Sequence, residues 1–116
     1  MSLTVLMIVL TLGADDRLSA AFVETESLEN CQQRGEVVRG IIAGSTQIEA
    51  ILCRQSVQAF DPFMHGAEAD EDAPRYSFLI RENGTQAEIV RVSGCPEARP
   101  APGEYCATSV QDMLAD

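Results

Sequence analysis

Four cysteines, Cys31, Cys53, Cys95 and Cys106, are the residues of this 116-residue chain best suited to chemistry. A cysteine acts as a nucleophile or redox centre only as a thiolate, with a base or a resolving thiol beside it. No Cys-x-x-Cys pair supplies that second thiol, because the closest two cysteines are eleven residues apart. His65 is the single histidine and the one conventional base. A free cysteine with His65 would make a small thiol-dependent enzyme or redox protein, but nothing in the spacing selects such a pair. Cys31 falls near the start of an expected helix, whose dipole favours a thiolate. Glu24, Glu26 and Glu29 are close in sequence and oppose one.

The competing reading is structural. An even number of widely spaced cysteines in a small domain implies two disulfides, and disulfides imply an oxidising compartment. The expected pairs are Cys31–Cys53 and Cys95–Cys106. A helix running away from Cys31 and a strand returning through Cys53 bring those two to one level. Cys95 and Cys106 bracket a proline-rich stretch. In the chain-entropy model each closure contributes roughly 3 kcal/mol. This reading places the protein in a periplasmic or extracellular space and assigns no catalytic residue.

Metal chemistry finds little support. Structural zinc sites draw on closely spaced cysteine pairs, and catalytic ones on several histidines. The acidic run Glu68-Ala69-Asp70-Glu71-Asp72 lacks the Asp-x-Asp-x-Asp-Gly pattern and distal Glu of an EF-hand loop, so it reads as a solvated loop. Met64-His65 beside Asp61 reads as part of the same loop. No metal and no cofactor are expected. All eight basic residues are arginine, which excludes a Schiff-base lysine and a Walker-type phosphate loop. A formal net charge of −10 removes the positive footprint that nucleic acid or an anionic membrane requires. The partner left by this elimination is an unidentified protein or small molecule.

The length fits a single domain, residues 1–116. With 46% apolar residues, 5% aromatics and no Trp, its core must be mainly aliphatic. Ser2 to Leu12 is too short for a membrane span. It has the length of a secretory leader's hydrophobic region, with Ser19-Ala20-Ala21 as a small-residue cleavage site, so residues 1–21 could be removed. No Arg or Lys precedes the run, and Asp15, Asp16 and Arg17 interrupt the approach to that site. Thr4, Val5, Ile8, Val9 and Thr11 are β-branched and favour a strand. The favoured reading is therefore a strand over 3–12, a turn at 13–16 and a second strand over 17–24.

Ser27 is a good N-cap for a helix. Leu28, Cys31, Gly35, Val38, Ile41 and Ile42 share its apolar face, and Gly44 to Thr46 end it. A strand follows over 47–54. Residues 55–74 read as a long acidic loop anchored by Phe60, Phe63 and Met64. Arg75–Glu82 and Thr85–Val92 flank Asn83-Gly84, the preferred two-residue hairpin turn. Asn83-Gly84-Thr85 also matches a glycosylation acceptor, which the turn explains without modification. Residues 93–116 read as a proline-rich tail loop ending in a frayed helical turn.

The expected fold is α+β: a small antiparallel sheet of four or five strands packed on one helix and stapled by two disulfides. The expected function is that of a non-enzymatic binding or interaction module. Its partner surfaces would be the acidic loop and the tail loop, the two irregular segments.

Overall fold

The apolar run near the start of the chain is a strand buried on both faces. The computed structural model describes residues 3–13, 15–42, 44, 47–62 and 74–114. In it Thr4–Leu12 forms β1, and its residues from Leu6 to Leu10 are all buried. Leu6, Ile8 and Leu10 point into a core, while Met7 and Val9 point to a second cluster on the opposite face. A strand covered on both faces needs a continuous apolar run rather than alternation.

The remaining elements are β2 (Leu18–Thr25), α1 (Leu28–Ile42), β3 (Gln47–Ser56), β4 (Tyr76–Asn83), β5 (Gln86–Val92) and β6 (Glu104–Ser109). The architecture is α+β, as composition and patterning imply. The sheet has six strands, not four or five, and closes into a barrel in the order β1-β2-β6-β4-β5-β3. It is also not wholly antiparallel. β2 pairs with β6 in parallel at Leu18↔Ala107 and Ser19↔Thr108, and β3 pairs with β5 in parallel at Gln55↔Gln86 alone. These two short contacts are the seams on which closure depends.

The added strand lies in the tail. Residues 104–109 pair with β4 from Tyr76↔Ser109 to Arg81↔Glu104. From Thr108 to Leu114 the tail is not helical: Met113 forms a bridge with Phe60, and the amides of Asp61 and Leu114 donate to the carbonyls of Asp112 and Ala59. Gln111 at this end satisfies the backbone of Phe22 in β2, and Ser109 Oγ accepts from the Gln111 amide, which together outweigh the weak local helix preference of so short a segment.

The hairpin forms one residue later than the dipeptide implies. Asn83 pairs with Gln86, which leaves Gly84-Thr85 as the two-residue loop. Gly84 has φ +63°, so glycine occupies the first central position, as a type II′ turn requires. Arg81 on β4 bridges Glu88 of β5 and Glu104 of β6. These exposed pairs add little energy but agree with the register.

The interior is filled by side chains from all six strands, including Phe22, Leu52, Phe78, Ile80, Ile89 and Ala107. Phe60 closes one end. Its ring stacks on Phe22 at 3.9 Å and meets Phe78 edge-on at 5.4 Å. Phe60 thus anchors the connection after β3, whereas Phe63 and Met64 lie outside the described residues.

Outside the barrel, α1 packs on β1 and β3 through Met7, Val9, Cys31, Val38, Ile42 and Ile51. Ser27 caps it, its Oγ accepting from the Asn30 amide at 3.0 Å. Gly35 is buried in this contact, and a Cβ there would stand 3.2 Å from Ile51 Cγ2. Gly40 has open space around it. The two glycines should therefore respond oppositely. Gly40→Ala should stabilise by about 0.5–1 kcal/mol through helix propensity. Gly35→Leu should cost about 1–3 kcal/mol by forcing the helix off the sheet. Paired urea denaturation curves of the two variants check both signs.

Candidate functional site

Cys31 is bonded to Cys53 and Cys95 to Cys106, so no cysteine is free. The first bond pins α1 to β3. The second ties the β5–β6 connection onto the outer face of β6. With every sulfur bonded, a thiol nucleophile arises only after reduction. Met64, His65 and Glu68 to Asp72 lie outside the described residues, so the cysteine–histidine pairing and the acidic run receive no structural account. Among the described residues no group of three His, Cys, Asp or Glu side chains converges on a metal-sized site. No described helix is long and apolar enough to cross a membrane. A small domain held by two disulfides is typical of extracellular and periplasmic proteins.

The described surface holds more than one concavity, including one of about 690 Å³ beside the Cys95–Cys106 bond. A groove of about 910 Å³ lies between α1 and the outer face of β2, and its lining also includes the core residues Leu6, Ala20, Phe22 and Phe60. Its origin is in the sequence of β2. The outward residues Ser19, Ala21 and Val23 are small or short, and α1 lies mainly toward β1 and β3, meeting β2 at its margin through the layer that holds Ala21 and Val23. The sheet face beside the helix therefore stays low. Val38, Ile41 and Ile42 of α1 form one wall. Phe60 to Pro62 and Thr108 to Val110 form the other. Glu24, Arg34, Asp61 and Arg75 bring charge to the lining, two of each sign.

Ile41 corrects the helical pattern. Its side chain is 74% exposed, although its spacing places it with the buried residues. Val37, one turn earlier, is 62% exposed. The apolar surface of α1 thus extends from the buried contact past the groove to solvent. A large exposed apolar residue beside a concave wall is the usual anatomy of a contact surface.

The far wall is fixed by a residue that pattern reading passed over. Gln111 is only 2% exposed and lies where β2 and β6 have separated. Its Oε1 accepts from the Phe22 amide at 2.8 Å, and its Nε2 donates to Phe22 O at 2.8 Å. The same Nε2 donates to Asp61 O at 2.7 Å. The side-chain amide thus stands in for the peptide group of a missing strand. Arg54 does similar work at the other seam, donating to Cys53 O and pairing with Glu82 of β4. Nothing in the polar tail around Gln111 marks it as a core residue. The run of small outward residues in β2 is the one local signal that foretold the groove.

No protein-family model, no curated protein and no solved structure matches this chain.

Proposed function

We propose that the protein is a small non-enzymatic binding module of an extracellular or periplasmic space. Its binding surface is the groove between α1 and β2, and its partner is a protein or small molecule offering an apolar group. One observation carries this reading: the large concavity is lined mainly by aliphatic side chains, while the barrel interior is already occupied. The two disulfides support the compartment. The groove replaces the two irregular loops as the partner surface, because it is concave and apolar.

Nile red, a neutral apolar dye, tests the surface whatever the natural ligand is. The wild-type protein should bind it with a rise in fluorescence. Ile41→Glu changes an exposed wall residue, and Ala21→Glu fills the floor. Each should weaken dye binding at least tenfold while leaving the unfolding transition cooperative. Unchanged binding in both folded variants would show that the groove is not the binding surface.

A further inference from the structure

We infer that the Cys95–Cys106 bond is a reducible clasp on the closing strand, opened by a dithiol before Cys31–Cys53 and loosening the β2–β6 seam when it opens. The two bonds differ in their surroundings. Each bond joins a buried cysteine, Cys31 or Cys106, to a half-buried one, Cys53 or Cys95, so the difference lies in the element that carries the half-buried sulfur. Cys31 lies on the inner face of α1, and Cys53 sits within β3 opposite Met7 of β1. Cys95 lies on an irregular segment, half-buried, and its neighbours Gly94, Pro96 and Glu97 are exposed. An attacking thiolate needs access to one sulfur along the S–S axis, and an exposed loop permits that more readily than a strand beneath a helix.

The position of the clasp gives its opening a consequence. Alternation along β6 turns the backbone of Tyr105, Ala107 and Ser109 toward β4, so Cys106 and Thr108 face the β2 side. There Thr108 meets Ser19 of β2, but the Cys106 amide donates to Ala98 O at 2.8 Å. The β5–β6 connection therefore occupies the place beside β6 that β2 does not reach. Cys95–Cys106 holds it there, assisted by the Arg99–Glu49 ion pair to β3 and the Glu82 amide donating to Gly103 O. Releasing the bond loosens one flank of β6 where it has just two residue pairs to β2.

In the chemical step a thiolate of the dithiol attacks Cys95 Sγ, forming a mixed disulfide and expelling Cys106 as a thiolate. The second thiol of the reagent then displaces Cys95. The dithiol leaves oxidised to its cyclic disulfide, and the protein gains two thiols.

The test is a time course of the folded, fully oxidised protein in dithiothreitol, quenched with iodoacetamide and mapped by peptide mass. Labels on Cys95 and Cys106 should appear at least tenfold faster than labels on Cys31 and Cys53. In that doubly labelled species, amide exchange should rise in β6 and at Leu18 to Ala20, while α1 keeps its protection. Cys31 and Cys53 reacting first, or all four reacting together, would overturn the inference. So would a doubly labelled species whose β6 exchange is unchanged. The combined variant Cys95→Ala/Cys106→Ala should reproduce the exchange pattern without reductant, and a wild-type pattern there would also overturn the inference.

Discussion

Gln111→Leu should lose about 3–5 kcal/mol of stability, a large share of what a domain of this size possesses. The leucine fills a similar volume but offers no hydrogen bonds. The amide and carbonyl of Phe22 and the carbonyl of Asp61 lose their side-chain partner together. A buried polar group left unpaired costs about 1–3 kcal/mol, so the total depends on how far water enters the seam. Urea denaturation of wild type and variant measures the difference directly. A loss below about 1 kcal/mol, less than one such unpaired group costs, would mean that closure of the barrel does not rest on this amide. The groove should suffer with the seam, because Phe60 to Pro62 and Thr108 to Val110 form its far wall. The neighbouring stack of Phe22 on Phe60 should loosen as well.

A chain beginning at Phe22, the product of removing residues 1–21, should not fold. It would lack all of β1, the strand that pairs along its length with both β2 and β3. Leu6, Ile8 and Leu10 would be missing from the barrel core, and Met7 and Val9 from the layer beneath α1. Leu18 and Ala20 would go too, and with them the pairing of β2 to β6. Burying one large aliphatic side chain is worth about 1.5–3 kcal/mol, so the five lost from β1 are comparable to the whole margin of stability. The shortened chain should give no cooperative thermal transition and a collapsed amide spectrum. A well-dispersed spectrum from residues 22–116 would instead establish the leader reading and overturn the barrel described here.

How far the sequence foretells this structure depends on the range of the interactions involved. The β1 run, the Ser27 cap, the helix and the hairpin are written in contiguous residues, and each forms within a residue or two of its expected place. The turn shift from Asn83-Gly84 to Gly84-Thr85 shows how one glycine can serve either of two adjacent registers. β6 was hidden because its six residues follow a proline-rich stretch and carry a short, weakly alternating pattern. Its partner β4 lies far away in the chain, so no local signal announces the pairing. The closure of the sheet was hidden for the same reason. It rests on two brief parallel contacts, and on Gln111 and Arg54 acting across long separations.

The site follows the same division. The cysteines were visible as chemistry because their number and spacing restrict what they can do. The groove arises from something absent, the lack of bulk at Ser19 and Ala21 on the outer face of β2, together with the lateral placement of α1. Helical periodicity assigned Ile41 to the buried face because periodicity does not register where a sheet ends beneath a helix. The stripe of apolar residues on α1 is wider than the contact the helix makes, which leaves Val37 and Ile41 exposed.

The most direct test of the groove as a binding surface is an amide chemical-shift titration of the oxidised, full-length protein with Nile red. Shifts should be confined to Ser19–Glu24 of β2, Arg34–Ile42 of α1 and the Thr108–Val110 segment, with the interior of β4 and β5 unchanged. Shifts centred instead on the Cys95–Cys106 loop, or spread through the barrel core, would contradict the groove as the place where an apolar partner docks.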